Sequence, residues 1–133
     1  MFNRDTSPIA RILVCDDSPV ERVALAHFLR QHDFEVDEAE GGDAAIQYLK
    51  HREIDLVLLD LQMPVVDGFD VLCYMQEHRR ALPVILLSGM PADAIQHKMH
   101  VLPTKELPTL MLKPIDPDQL LNVVDLQLSG QLP

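Results

Sequence analysis

Several familiar chemistries are missing from this 133-residue chain for want of the residues they need. There are only two cysteines, Cys15 and Cys73, too few for a disulfide framework or a structural zinc site. Reduced thiols fit a cytoplasmic setting. Basic residues are scarce: 11 Lys and Arg stand against 21 Asp and Glu, a formal net charge of −10. Such a balance repels phosphate backbones and anionic lipid, so no direct nucleic-acid binding and no membrane association are expected. The longest apolar stretch, around Val84 to Leu87, is far too short to span a bilayer. The polar N-terminus, Met1 to Pro8, has no apolar signal core. Neither a Gly-rich nor a Ser/Thr-rich loop follows the first apolar run, which argues against a dinucleotide or flavin carrier.

What is present is a regular alternation. Apolar runs at Ile12–Cys15, Leu56–Leu59 and Val84–Leu87 read as buried central strands. Phe34 and Val36 alternate with Glu35 and Asp37, as in a half-exposed edge strand, and Leu110–Leu112 reads as a short last strand. Helices are expected over Pro19 to about Gln31, Asp43–Lys50, Phe69 to about His78, Pro91 to about Val101, and Pro117 to about Leu128. Ser18 before Pro19 and Asp116 before Pro117 have the chemistry of N-caps followed by proline at the first helical position. The first helix carries Val20, Val23, Ala24, His27 and Phe28 at helical spacing, and the third turns Val71, Leu72 and Met75 inward. Pro103 and Pro108 forbid a long continuation of the fourth. The order is βα repeated five times, which implies a parallel sheet with helices on both faces. Length allows one domain, assigned to residues 10–128, with an N-terminal extension at 1–9 and a tail at 129–133.

In open parallel sheets, ligands bind at the carboxyl ends of the strands. The polar residues that end the apolar runs are Asp16 and Asp17, Asp60, Ser88 and Lys113. Three carboxylates held together repel one another unless a counter-charge relieves them. Mg²⁺ suits the need, because it takes oxygen ligands and keeps several waters. Lys113 offers a point charge for a phosphoryl oxygen, Ser88 a hydroxyl donor, and a carboxylate can itself accept a phosphoryl group. Read alone, Asp16 and Asp17 are ordinary helix-capping residues; their co-occurrence with Asp60 and Lys113 favours a metal site. His97 and His100 have no third ligand and read as solvated, Cys15 as an inert strand residue, and Cys73 has no base at motif spacing.

At these positions the sequence resembles the receiver domain of two-component response regulators, the chemotaxis regulators included. The resemblance rests on Asp16-Asp17, on Asp60-Leu61-Gln62-Met63-Pro64 through Asp67-Gly68, on Ser88 and on Lys113-Pro114. It covers about Arg11 to Val124. It implies a flavodoxin-like, doubly wound α/β fold with a five-stranded parallel sheet in strand order 2-1-3-4-5. It implies that Asp60 is the phosphoacceptor for a phosphohistidine on a sensor histidine kinase or phosphotransfer protein. It also implies that Asp17 ligates Mg²⁺ directly, Asp16 through water, and the backbone carbonyl of Gln62 as a third protein ligand. Lys113 would contact the phosphoryl group, the Lys113–Pro114 bond would be cis, and Ser88 would report phosphorylation. The domain would be a switch read by an output protein or domain, not a turnover enzyme.

Two departures stand out. Leu110 occupies the place of the family's aromatic switch residue, and Pro91, Pro103 and Pro108 fill a stretch that lacks the usual Gly-Ala turn. They motivate an alternative, a degenerate receiver that binds a partner without phosphorylation. A Mg²⁺-dependent phosphatase on a similar fold is disfavoured, because Gln62 stands where its second acid is needed.

Overall fold

A computed structural model describes residues 9–79, 81–91, 93–95 and 108–130. Five strands, β1 (Arg11–Cys15), β2 (Glu35–Ala39), β3 (Leu56–Asp60), β4 (Val84–Ser88) and β5 (Thr109–Leu112), alternate with helices α1 (Pro19–Gln31), α2 (Gly42–His51), α3 (Gly68–His78) and α4 (Pro117–Ser129). All strand pairings are parallel and the order is β2-β1-β3-β4-β5, as the resemblance implied. The helix expected over Pro91–Val101 lies mostly outside the described residues, as do His97, His100, Pro103, residues 1–8 and residues 131–133. Of that helix, Asp93 to Ile95 is helical. The Ile95 amide donates to the Pro91 carbonyl (3.2 Å), and Ile95 is buried.

The apolar runs are explained by two core layers. Successive side chains of a strand point to opposite faces, so a sheet covered on both sides needs apolar residues at every position. On one face, Leu13, Cys15, Val57, Leu59 and Leu86 meet Ala45 and Leu49 of α2 and Val71, Leu72 and Met75 of α3. On the other, Ile12, Val14, Leu56, Leu58, Ile85 and Leu87 meet Ala26 and Leu29 of α1 and Leu120 and Val124 of α4. The edge strand β2 buries only Val36 and Ala39, which accounts for its alternation.

On α1 the apolar spacing seen in the sequence marks the packed face only in part. The apolar positions Val20 and Val23 are 81% and 53% exposed. The face that packs on the sheet is instead Ala26 and Leu29, with Leu25 and Phe28 half-buried; His27 is exposed. Both stripes have helical spacing. Which one faces inward depends on where the cap at Ser18 launches the helix over β1 and β2, and periodicity does not contain that information.

Helix ends follow their chemistry. Asp67 and Asp70 form a complete capping box on α3: the Asp70 amide donates to Asp67 (3.1 Å) and the Asp67 amide to Asp70 (3.0 Å), so two otherwise orphaned amides are satisfied. Asp116 accepts from the Asp118 amide. Gly130, in the left-handed region at φ 73°, closes α4 as glycine readily does.

Candidate phosphoryl and metal site

The carboxyl ends of β1, β3, β4 and β5 bring Asp16, Asp60, Ser88 and Lys113 together from four separated parts of the chain. Asp16, Asp60 and Ser88 are the buried polar or charged residues among those described. Each has a partner that fixes it. Asp16 continues the β1–β2 ladder through its amide, which donates to the Ala39 carbonyl (3.0 Å). Its own carbonyl accepts from the Arg22 guanidinium (3.0 Å), and its Oδ1 accepts from the Ser18 amide (2.9 Å). Asp60 Oδ1 accepts from the Gln62 amide (2.9 Å) and Oδ2 from the Lys113 ammonium (3.2 Å). The Lys113 amide donates to the Ser88 carbonyl (2.7 Å), and the Lys113–Pro114 bond is cis, as the resemblance implied. Ser88 Oγ accepts from the Met90 amide (2.9 Å). The Gln62 side chain accepts from the Gly89 amide (3.3 Å), so the loops after β3 and β4 are joined beside Asp60.

The cluster holds more negative than positive charge. Lys113 Nζ lies 2.7 Å from Glu21, 3.2 Å from Asp60 and 3.6 Å from Asp16. Burial pushes the Asp16 carboxyl up to about 7; the Ser18 hydrogen bond opposes this and the Asp60 charge adds to it. The Lys113 hydrogen bond holds Glu21 below the usual carboxylate range. Burial works against the Lys113 charge, yet the Glu21 bond and the Asp60 and Asp16 carboxylates push its ammonium up. Burial, with the Asp16 and Asp60 charges, also pushes the Cys15 thiol up, so Cys15 is no nucleophile here.

The donor set suits a hard cation. Asp16 Oδ2 is buried with no hydrogen-bond donor of its own. Oxygens of Asp16, Glu21 and Asp60 lie within 4.8 Å of one another. Carboxylate oxygens alone select Mg²⁺, Ca²⁺ or Mn²⁺ over softer metals. Asp17, the ligand the resemblance implied, is exposed and stands outside that group, whereas Glu21, which sequence reasoning passed over, stands inside it. A signal for Glu21 existed: Ser18-Pro19-Val20-Glu21 has the spacing of a capping box.

The Asp16 shift makes a stability prediction. Between the ordinary aspartate value of 3.8 and about 7, folded Asp16 keeps a proton that the unfolded chain has released. Stability therefore falls as pH rises through that interval. Glu21 acts oppositely, losing its contribution as pH drops below its ordinary 4.5. Without divalent cations, the urea midpoint should be higher at about pH 5.5 than at about pH 7.5, and Asp16→Asn should flatten that difference. An unchanged slope in Asp16→Asn would place the titration elsewhere.

Among the described residues, no helix is long and apolar enough to cross a membrane. The sequence profile of the response regulator receiver domain matches residues 12–125. The transcriptional regulatory protein ResD of Bacillus subtilis is 38% identical over 90 residues, which cover 68% of this chain and 37% of ResD. The response regulator Rre1 of Synechocystis is 37% identical over 129 residues, 93% of this chain and 53% of that protein. The chain thus spans about half or less of these two relatives. A CheY-like receiver domain from Methanospirillum hungatei superposes with a TM-score of 0.83 at 20% identity, over 93% of this chain and 97% of that one, which shows a common fold. With the parallel order of five strands, the strand-end carboxylates and the match over residues 12–125, the chain belongs to the response regulator receiver domain family.

Proposed function

We propose that the chain is a phosphorylation-controlled switch of two-component signalling, with Asp60 as its phosphoacceptor. The observation that carries this is the Asp60 environment: a buried carboxylate with one oxygen on the Gln62 amide and the other on Lys113. That is positioning and charge neutralisation, which dominate phosphoryl transfer. A carboxylate oxygen of Asp60 attacks phosphorus in line. The P–N bond of a partner's phosphohistidine breaks, its electron pair passes to the imidazole nitrogen, and Asp60 becomes an acyl phosphate. Lys113 meets the charge on the phosphoryl oxygens.

Asp16, Asp60 and the Gln62 carbonyl would hold Mg²⁺, with Asp17, exposed at the rim, turning in to join them as the resemblance implies; when bound, the ion offsets the negative charge brought together there. Ser88, whose hydroxyl rests on the Met90 amide, would turn to the phosphoryl group and carry the loop after β4 with it. The added charge of about −1.5 to −2 shifts a population between two loop arrangements, and a partner reads the difference. The donor would be a sensor histidine kinase or phosphotransfer protein, and the reader a downstream protein or domain. The acidic balance of the chain makes nucleic acid an unsuitable direct target. Leu110 is half-buried against the core in the place of the family's aromatic switch residue, so the loops after β3 and β4 would carry the change.

The test is incubation with acetyl phosphate, with and without Mg²⁺, followed by intact mass. A Mg²⁺-dependent, phosphoryl-sized gain is expected. No gain from acetyl phosphate or from a phosphorylated kinase, with the fold intact, would leave a phosphorylation-independent binding module.

A further inference from the structure

Glu21 has an ordinary structural task that it does not perform. It is the third residue of α1, and in a capping box the acid at that place returns a hydrogen bond to the N-cap amide. On α3 the bond is made, Asp70 accepting from the Asp67 amide (3.0 Å). On α1 the Ser18 amide donates to Asp16 Oδ1 instead (2.9 Å). Glu21 is thereby released from the helix end, and its carboxylate takes the Lys113 ammonium at 2.7 Å, nearer than Asp60 at 3.2 Å or Asp16 at 3.6 Å. Ninety-two positions separate the two residues, so no local requirement of the chain joins them.

The contact also has a consequence for the reaction. Lys113 carries the cationic group of the cluster, and an ammonium has three N–H donors, which here already face the carboxylates of Glu21, Asp60 and Asp16. A phosphoryl group on Asp60 brings further anionic oxygens to the same ammonium. Glu21 and the phosphoryl group therefore compete for Lys113. We propose that Glu21 is a positioning residue that holds Lys113 in the resting site, so that Lys113 exchanges the Glu21 carboxylate for the phosphoryl group and Glu21 lowers the site's affinity for that group. This rests on the phosphoacceptor reading of Asp60 and adds a restraint set by α1.

The test is titration with beryllofluoride, a tetrahedral acyl-phosphate mimic, at saturating Mg²⁺, followed by backbone-amide and lysine-ammonium chemical shifts in the full chain. Glu21→Gln removes the charge. Glu21→Asp keeps the charge but shortens the side chain by one methylene, which draws the carboxylate back from its 2.7 Å contact with Lys113. Both variants should bind the mimic about two- to fivefold more tightly than wild type, the range of a partly exposed ion pair. The Lys113 ammonium resonance should shift further on saturation in wild type than in either variant, because only in wild type does it leave the Glu21 carboxylate as well as sharing Asp60 with the mimic. Tightening in Glu21→Gln but not in Glu21→Asp would overturn the proposal in favour of a general field. Unchanged or weaker binding in both would overturn it too, weaker binding meaning that Glu21 serves the cation. A wild type that binds no mimic would instead remove the phosphoacceptor reading, and the restraint with it.

Discussion

Asp60→Asn should take up no phosphoryl group at any donor concentration, while folding as well as the wild type. The substitution is nearly isosteric. Its side-chain oxygen still accepts from the Gln62 amide that now holds Oδ1 at 2.9 Å. What disappears is the carboxylate, and an amide oxygen is too weak a nucleophile to form an acyl phosphate. Two electrostatic changes oppose each other in stability. Lys113 loses its 3.2 Å partner, and Asp16 loses the neighbouring charge that helps raise its carboxyl to about 7. The net change should stay within about 1 kcal/mol, since one like-charge contact and one opposite-charge contact vanish together. Intact mass after acetyl phosphate and Mg²⁺ reads the chemistry, and a thermal melt reads the fold. A phosphoryl-sized gain in Asp60→Asn would move the acceptor to Asp16, Asp17 or Glu21.

Gly68→Ala should damage fold and chemistry together. A Cβ on Gly68 would lie 2.4 Å from the Asp60 carbonyl oxygen and 2.6 Å from the Leu61 Cα. Both are backbone atoms of β3 and the link after it, so neither moves without moving Asp60. Overpacking of this kind costs about 1–3 kcal/mol, a fall of roughly 4–11 °C in Tm for a chain this long. The carboxylate moves with its backbone, and a displacement of about 1 Å at a reacting group can cost about 100-fold in rate. The phosphorylation rate in Gly68→Ala should therefore fall by tenfold or more even well below its melting temperature. Gly41→Ala is the control. A Cβ there meets nothing within 4 Å, so the cost is about 1 kcal/mol or less, that of a weaker N-cap. Equal effects at both glycines would dismiss the close approach as the cause.

Much of the fold was legible because it is local and periodic. Strands buried on both faces must be apolar throughout, so Ile12–Cys15, Leu56–Leu59 and Val84–Leu87 announced themselves, and the strand ends pointed to Asp16, Asp60, Ser88 and Lys113. Capping chemistry located the starts of α1 and α4 at Pro19 and Pro117, because the N-cap bond is made within a few residues. The inward face of α1 was not legible. Val20 and Val23 on one stripe and Ala26 and Leu29 on another share the helical period, and only docking on β1 and β2 separates them.

The sequence by itself determined the alternation of strand and helix, the family, and the residue types that meet at the strand ends, because each depends on spacing along the chain. Tertiary structure alone decided how those charges are shared. Capping spacing ties Glu21 to Ser18, but once β1 is in place Asp16 takes the Ser18 amide, and Glu21 turns to a lysine 92 residues away. Hydrogen-bond donors are few at a buried site, and which acceptor wins each is a matter of distance in three dimensions, not of order in sequence.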